Sequence, residues 1–308
     1  MLETSSDEVS KMKEQYWSKV LLFGEYSMIF DSTALLIPLK LFSAKWACAK
    51  EENEPAAVFS RRELSLFCDF LQARDRLKEV IDTEAFEKDL HDGWWLASNV
   101  PIGYGLGSSG TVTAAVYDRY AGYRIKDAMR LKDLFSQMES CFHGSSSGID
   151  PLQCYYGKPF KITPAGVDLL PEGFLNNGIH ICLIDTKVKS STKPLVEYFK
   201  RKRENESFLA EFQGCYLPLV NDCIDSMITG DAGNFFNSLQ SLTLSQTRFF
   251  GPMIPGNVAA LFTDSYDFHF GIKILGAGGG GYVLGFTDDR QKASSILQNY
   301  DVLWLNVE

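Results

Sequence analysis

The chain has 308 residues, of which 45% are hydrophobic and 22% charged, and its formal net charge is −9. A chain of this length supports one large or two ordinary domains with substantial cores. The acidic balance argues against a nucleic-acid or anionic-membrane surface, because such surfaces need an excess of lysine and arginine. We therefore expect neither nucleic acid nor a membrane as partner, and only a local basic pocket for a small phosphorylated ligand stays open.

The cysteine content and the N-terminus indicate the compartment. The seven cysteines form no C-x-x-C pair and are odd in number, which suits reduced thiols better than a disulfide framework. The stretch MLETSSDEVSKMKEQYW is polar and lacks the apolar core of a signal peptide. No apolar run approaches the roughly 20 residues that span a bilayer. These features predict a cytoplasmic protein.

In the first half of the chain, apolar spacing predicts short strands and amphipathic helices. The predicted strands are 20–23, 28–29 and 34–41 around a Gly24-Glu25 turn, and 94–100. A solvated turn is expected at 50–56, and helical segments at 61–90, 111–123 and 129–142. Asp150-Pro151 is typical of a helix start, with the aspartate as N-cap and proline in the first helical position.

In the second half, residues 160–178 are rich in Pro, Gly and Asn and give the best domain boundary. A strand over 179–185, a long charged helix over 193–212 and further helices to about residue 262 follow. The chain then reads strand, glycine loop, strand over 271–287. Mixed strands and helices without repeats predict an α+β chain with two lobes.

The stretch PIGYGLGSSG at 101–110 is the first candidate site. Its glycines satisfy G-x-G-x-x-G literally, but the acidic residue that a dinucleotide fold needs about 20 positions later is replaced by Arg130. No G-K-[ST] follows, so a Walker A loop fails too. Glycines still let the backbone approach an anion at the start of the following helix, and Ser108 and Ser109 add hydroxyls for phosphate or magnesium. The alternative is a glycine-rich turn capped by serine.

Two further stretches carry candidate chemistry. Lys19 precedes a strand and a Gly-Glu turn, where its ammonium would lie near a phosphoryl group; the alternative is a solvated lysine. In ESCFHGSSSGIDP, Glu139 lies one helical turn before His143, and Asp150 lies beyond a serine–glycine loop. Glu139 would ligate magnesium and Asp150 would orient or deprotonate a hydroxyl. In the alternative, Glu139 is an exposed helix carboxylate, His143 interacts with the helix dipole, and Asp150 is only an N-cap.

The glycine run near the C-terminus is the last candidate. Five of the six residues over 276–281 are glycine, and the flanking IKIL and YVLGF are apolar. A disordered linker would hardly have such flanks, so a tight loop that brings backbone against a ligand or another loop fits better. A glycine-rich structural hairpin is the alternative.

Together these segments resemble the GHMP kinases. P-x-x-x-G-L-G-S-S at 101–109 looks like that family's phosphate loop, K-V-x-L-x-G-E at 19–25 its first motif, and L-G-A-G-G-G-G at 275–281 its third. Within the family, E-x-x-x-H-G-x-x-S-G-I-D at 139–150 is similar to the mevalonate kinase signature. Three motifs in the right order, spread over nearly the whole chain, form a specific signal.

The resemblance implies a two-lobed α+β fold with the site between the lobes. Residues 1–165 would form an N-terminal ATP-binding lobe like ribosomal protein S5, and residues 166–308 a ferredoxin-like C-terminal lobe. A monomer or homodimer is expected.

The resemblance also implies roles for individual residues. Asp150 would be the catalytic carboxylate, Lys19 would lower the acceptor hydroxyl's pKa or stabilise transferred charge, and Ser109 and Glu139 would hold Mg²⁺. ATP would contact Pro101, Gly103, Gly105, Leu106, Gly107, Ser108, Ser109, Gly110, Gly276, Ala277, Gly278 and Gly279. The acceptor would contact Glu25, Tyr26, His143 and Gly278.

The expected activity is ATP- and Mg²⁺-dependent phosphorylation of a small alcohol, foremost mevalonate to 5-phosphomevalonate in isoprenoid biosynthesis. Two departures affect the acceptor: Ser146 stands where mevalonate kinases usually have proline, and Tyr26 where they have histidine. The Gly-Glu-Tyr form and the S-S-G-T-V run at 108–112 look more like phosphomevalonate kinases. A phosphomevalonate, sugar or homoserine kinase is therefore the nearest alternative. A non-catalytic ligand sensor and a dinucleotide-dependent oxidoreductase are weaker ones.

Overall fold

The computed structural model describes residues 12–30, 32–48, 55–171, 173–175, 177–264 and 269–306. Within them the strands are Tyr16–Phe23 (β1), Ala34–Cys48 (β2), Trp94–Ser98 (β3), Phe160–Thr163 (β4), Gly166–Leu169 (β5), His180–Asp185 (β6), Phe270–Ile274 (β7), Tyr282–Thr287 (β8) and Val302–Trp304 (β9). The helices are Pro55–Gln72 (α1), Asp75–Lys78 (α2), Thr83–His91 (α3), Ser108–Tyr120 (α4), Ala128–His143 (α5), Ile149–Tyr156 (α6), Thr192–Lys202 (α7), Glu206–Glu211 (α8), Leu217–Thr229 (α9), Ala232–Phe250 (α10), Ala259–Thr263 (α11) and Arg290–Ile296 (α12).

The first sheet lies in the N-terminal half, with the order β1-β2-β4-β5 and with β3 paired to the far end of the long strand β2. Side chains alternate across β2, as the period of a strand requires. Ala34 and Leu36 pack in a core with α1, α4, α5 and α6, whereas Leu35 and Ile37 pack in a second core with elements of the C-terminal half. The sheet is therefore covered on both faces.

The second sheet has the order β7-β8-β6-β9, with every neighbouring pair antiparallel. Along the chain, β6 is followed by helices α7 to α11, then by the β7–β8 pair, helix α12 and β9. This is the strand–helix–strand–strand–helix–strand succession of a ferredoxin-like sheet. The predicted two-lobed α+β architecture is confirmed.

Aromatic contacts join the two lobes. Phe23, at the end of β1, stacks on Phe286 of β8 with ring centroids 5.5 Å apart. Tyr26, just after β1, lies 4.4 Å from the ring of Phe199 in α7 and 5.2 Å from that of Phe250 in α10. Because these rings belong to one continuous core, the end of β1 is held against the C-terminal lobe.

Several predicted elements differ from the structure. Residues 28–29 lie in a single 3₁₀ turn, Ser27–Phe30, and not in a strand. The helical segments 61–90 and 193–212 are interrupted, giving α1 to α3 in the first case and α7, α8 and a π turn at Phe212–Tyr216 in the second. The expected turn at 50–56 lies mostly outside the described residues, and 55–56 begin α1.

Strand β5 lies just past the expected lobe boundary, and helix α6 begins one residue before Asp150. Strand β5 pairs with β4, so the first sheet continues to Leu169, four residues beyond the boundary expected at 165/166, which stays a prediction. Asp150 is not the N-cap of α6, because Gly148, with φ of +75°, occupies that position and the helix begins at Ile149. No helix in the described part of the chain is long and apolar enough to cross a membrane.

Candidate active site

A cleft of about 590 Å³ opens between the lobes. It is lined by the ends of β1, α4, α5 and α6 on one side, and by α7 and the glycine segment after β7 on the other. Most of the residues singled out from the sequence meet here. They are Lys19, Glu25, Tyr26, Gly103, Gly105, Gly107, Ser108, Ser109, Glu139, His143, Asp150, Gly276 and Ala277.

The phosphate-loop candidate ends at the N-terminus of helix α4. Gly107 is the helix N-cap with φ of +79°, and no side chain of the described residues caps that end. The first-turn N–H groups therefore point toward the cleft, where the helix dipole favours an anion. The loop is fixed to β1, since the backbone N–H of Lys19 donates to the carbonyl of Leu106 at 3.1 Å.

Lys19 and Asp150 form an ion pair at the bottom of the cleft. The Nζ atom of Lys19 lies 2.8 Å from Oδ2 of Asp150. Strand β1 places the lysine, and the first turn of α6 places the aspartate. Two glycines allow the approach: a Cβ on Gly107 would lie 2.9 Å from Lys19 Cγ, and a Cβ on Gly110 would lie 3.0 Å from the backbone of Asp150.

Glu139, on α5, accepts hydrogen bonds at both carboxylate oxygens. Ser109 Oγ donates to Oε1 at 2.7 Å, and Ser146 Oγ donates to Oε2. His143 Nε2 lies 3.0 Å from Ser109 Oγ. Burial, assisted by the negative charge of Asp150, raises the pKa of Glu139 to about 7 against the opposing effect of these hydrogen bonds. The pKa of His143 is lowered, chiefly because burial disfavours its charged form.

The second glycine segment packs directly on the first. A Cβ on Gly281 would lie 2.6 Å from the Cα of Tyr104, and a Cβ on Gly276 would lie 3.7 Å from Gly105 Cα. Ser190 links both segments, since its N–H donates to the carbonyl of Gly103 at 3.2 Å and its hydroxyl donates to that of Gly278 at 2.5 Å. The glycines of 276–281 thus permit a close backbone contact between the lobes.

Two predicted acceptor contacts, Glu25 and Tyr26, are bonded to the opposite lobe. Glu25 accepts from Lys273 Nζ at 2.5 Å, and both side chains are 1% exposed. Burial raises the pKa of Glu25 and lowers that of Lys273. Tyr26 donates its hydroxyl to the carbonyl of Ala277 at 2.9 Å. Both residues border the cleft, but their polar groups also hold β7 and the glycine segment in place.

The remaining predicted contacts are not among the residues that line the cleft: they are Pro101, Leu106, Gly110, Gly278 and Gly279. Leu106 is 1% exposed and belongs to the core between the lobes. The carbonyl of Gly278 is taken by Ser190, and Leu195 of α7 packs on Gly279. Their roles toward ATP or acceptor stay predictions.

Sequence reasoning missed several residues of the site. Lys273 is the buried partner of Glu25, and Ser146 is the second donor to Glu139. Lys132, Lys200 and Arg203 give the cleft a basic component. Ser146 stood out only as a departure from the mevalonate kinase signature. The three basic residues occur in ordinary helical segments and carry no local motif.

The donors around Ser109 and Glu139 fit a magnesium ion. A hydroxyl and a carboxylate, both hard oxygen ligands, lie side by side at the N-terminus of α4. The described residues contain no group of three or more His, Cys, Asp or Glu side chains that would form a complete cage. A pair of protein ligands matches the way Mg²⁺ is held by one or two carboxylates together with substrate phosphates.

Comparison with known proteins finds similarity to one kinase family. Residues 71–158, which include the phosphate loop, Ser109, Glu139 and Asp150, match the model for the N-terminal domain of GHMP kinases. The chain contains a GHMP kinase N-terminal domain. The chain is 25% identical to the mevalonate kinase of Thermococcus gammatolerans, over 89% of this chain and 88% of the relative. It is also 25% identical to the mevalonate kinase of Dictyostelium discoideum, over 86% and 85%.

Solved structures show the same fold. The chain superposes on L. major mevalonate kinase in complex with R-mevalonate with a TM-score of 0.63 at 15% identity, covering 94% of this chain and 91% of the other. For Streptococcus pneumoniae phosphomevalonate kinase in complex with phosphomevalonate and AMPPNP, the TM-score is 0.64 at 15% identity, with 92% and 94% coverage. The predicted family is confirmed, and the comparisons support an ATP-dependent phosphotransferase with an alcohol acceptor.

Proposed function

We propose that this GHMP kinase transfers the γ-phosphoryl group of ATP, with Mg²⁺, to the primary hydroxyl of mevalonate, producing 5-phosphomevalonate for isoprenoid biosynthesis. One observation carries the proposal: a Lys19–Asp150 pair at 2.8 Å faces a cleft beside the uncapped N-terminus of α4. The mevalonate kinase relatives along most of the chain support the choice of acceptor. A cytoplasmic monomer or homodimer remains our prediction.

The phosphate chain of ATP would lie over the loop 103–109. The N–H groups at the start of α4 supply partial positive charge to the phosphate oxygens without a side chain having to move. Phosphoryl transfer asks a protein mainly for positioning and for stabilisation of charge on the equatorial oxygens. The contact of 276–281 with 103–105 would keep this loop in a single arrangement.

Asp150 and Lys19 would act on the acceptor hydroxyl. As the hydroxyl oxygen bonds to the γ-phosphorus, its proton passes to the Asp150 carboxylate, the bond from the γ-phosphorus to the β–γ bridging oxygen breaks, and ADP leaves with that electron pair. The Lys19 ammonium, held 2.8 Å from Asp150, stabilises the negative charge on the attacking oxygen. General-base assistance of this kind is worth about 10²–10⁴-fold in rate.

Ser109 and Glu139 would hold Mg²⁺ at the start of α4. When bound there, the ion neutralises charge on the nucleotide phosphates. Ser146 and His143 orient this pair, the first through Glu139 and the second through Ser109.

Phosphomevalonate kinase activity is a second candidate. Three basic side chains, Lys132, Lys200 and Arg203, line the cleft. An acceptor that already carries a phosphate needs such charges, and a phosphomevalonate kinase shares the fold.

A coupled ADP-release assay tests the proposal. The purified protein is supplied with ATP and Mg²⁺ and with mevalonate, phosphomevalonate, homoserine or galactose in turn. We expect ADP release with mevalonate, and its loss in Asp150→Asn but not in Asp225→Asn, which alters an exposed Lys–Asp pair elsewhere. Release with phosphomevalonate alone would select the second candidate, and release with none of the four would refute both.

A further inference from the structure

One face of helix α7 lies along the cleft. Its lining residues are Thr192, Val196, Lys200 and Arg203, the last being the residue that ends the helix. Their spacing of three and four positions puts them in one stripe. The other faces anchor the helix, since Leu195 packs on Gly279 and Phe199 on Tyr26. The orientation of this stripe is therefore set by core packing.

The stripe runs away from the phosphate loop. Just before α7, Ser190 bonds to Gly103 and Gly278, so the helix begins beside the glycine segments. At 1.5 Å per residue, Lys200 lies about 12 Å farther along the axis than Thr192. Apolar side chains line the same cleft, namely Met28 and Ile29 in the segment after β1 and Val196 in the middle of the stripe.

The far end of the stripe carries the positive charges of Lys200 and Arg203, which have few partners among the described residues. Among the described residues Lys200 pairs with Glu197 alone, one turn earlier on the same helix, and its side chain is 42% exposed. The guanidinium of Arg203 makes no hydrogen bond or ion pair with any residue that the structure describes. The carboxylates lining the cleft are already engaged: Asp150 with Lys19, Glu25 with Lys273, and Glu139 with serine hydroxyls.

We propose that Lys200 and Arg203 form a subsite for an acidic group at the end of the acceptor opposite its reacting hydroxyl. This inference rests on the proposed function and extends it. The hydroxyl lies at Asp150, the aliphatic middle packs along Met28 and Val196, and the acidic group meets the two cations. A carboxylate and a phosphate share this chemistry, so mevalonate and phosphomevalonate both qualify.

The test compares charged and neutral acceptors in the double variant Lys200→Gln/Arg203→Gln. The probes are mevalonate, phosphomevalonate and the neutral triol in which a hydroxymethyl group replaces the carboxylate of mevalonate. We expect the double variant to raise KM for the charged acceptor about 10- to 100-fold, as for loss of charge-assisted hydrogen bonds, with little change in KM for ATP. Arg201→Gln/Lys202→Gln also removes two positive charges, from helix positions that do not line the cleft, and leaves both constants unchanged.

Three outcomes would overturn the subsite. The first is that the wild type uses or binds the neutral triol as well as it does the acids. The second is that the double variant raises KM for ATP instead of KM for the acceptor. The third is that calorimetry shows neither acid binding to the wild type. If no acceptor is phosphorylated but either acid binds and the double variant weakens that binding, the proposed function fails and the subsite stands. If the double variant raises KM more for phosphomevalonate than for mevalonate, phosphate is the group that the subsite holds.

Discussion

Lys19 Nζ and Asp150 Oδ2 are 2.8 Å apart, yet the two side chains are very unequally exposed, at 2% and 33%. The lysine is enclosed between β1 and the phosphate loop, whereas the aspartate opens to the cleft. Both side chains line the cleft, but the aspartate is the more accessible of the two to an acceptor hydroxyl.

The first prediction concerns this pair. Asp150→Asn keeps the shape of the side chain but removes its capacity to take a proton, so kcat falls about 10²–10⁴-fold. Steady-state kinetics with mevalonate measure the change, and circular dichroism checks the fold. Asp225→Asn, in an exposed pair with Lys161, serves as control and keeps full activity. Near-normal turnover in Asp150→Asn would remove the aspartate from the mechanism.

The second prediction concerns the buried pair between the lobes. Glu25→Gln or Lys273→Met alone leaves a buried charge without its partner and lowers the free energy of unfolding by about 3–5 kcal/mol. The double variant recovers most of this loss, because neither charge remains. Urea unfolding followed by fluorescence measures it. Glu211→Gln, in the exposed pair with Arg248, changes stability by about 1 kcal/mol or less. Equal losses in the single and double variants would contradict the coupling.

The third prediction concerns Gly107. An alanine there adds a Cβ 2.9 Å from Lys19 Cγ at φ of +79°. Displacing the ammonium by about 1 Å costs roughly 10²-fold in kcat. Gly178→Ala is the matched control, since it has φ of +81° and open space around the added Cβ. Both variants lose about 1–2 kcal/mol of stability from the left-handed backbone. Only Gly107→Ala is expected to lose activity, and equal activity in the two would argue against the steric explanation.

The fourth prediction concerns Ser146. Ser146→Ala removes the donor to Glu139 Oε2 and leaves the Ser109 bond to Oε1 in place. Loss of an outer hydrogen bond to a metal ligand typically costs about tenfold or more in metal affinity. The half-saturating Mg²⁺ concentration should rise accordingly, measured at saturating ATP and acceptor. Ser140→Ala, whose hydroxyl donates only to the carbonyl of Gln137 on the same helix, leaves it unchanged. An unaltered Mg²⁺ requirement in Ser146→Ala would count against Glu139 as ligand.

The fifth prediction concerns the pH dependence of the metal-free protein. Burial raises the pKa of Glu139 from its ordinary value of 4.5 to about 7. Between these values the folded chain holds a proton that the unfolded chain has lost, so this contribution to stability is full below pH 4.5 and is lost as pH rises through about 7. Glu139→Gln cannot ionise and escapes that loss.

Thermal unfolding in a chelating buffer measures this effect. As the pH rises from 4.5 to 7, the Tm of Glu139→Gln should increase relative to the Tm of the wild type. Asp133→Asn, which alters an exposed carboxylate on the same helix, should follow the wild type at every pH. Parallel curves for the wild type and Glu139→Gln would show that Glu139 ionises normally.

The sequence predicted the parts of the site that local chemistry specifies. The candidate phosphate loop, the α5 pair Glu139–His143 and the glycine segment were each recognised from a few neighbouring residues, and each contributes residues to the cleft. The strand expected at 28–29 failed because Tyr26 adopts φ of +58°, which turns the chain into a 3₁₀ turn despite its apolar residues.

What the sequence did not reveal depends on tertiary packing. The partner of Glu25 lies 248 residues away, and no spacing rule connects the two positions. Lys200 and Arg203 look like any charges on a solvated helix until Leu195 and Phe199 fix which face meets the cleft. Ser146 became informative only when its hydroxyl was seen to bond to Glu139.

The contact between the two glycine segments also bears on how the chain folds. Loop 103–105 and segment 276–281 are far apart in the chain, and closing so long a stretch of chain is entropically costly and slow. We therefore expect this contact to form late in folding. ATP bound at the proposed site would stabilise the completed fold by a free energy that grows with the logarithm of its concentration above Kd, and would protect both lobes together against unfolding.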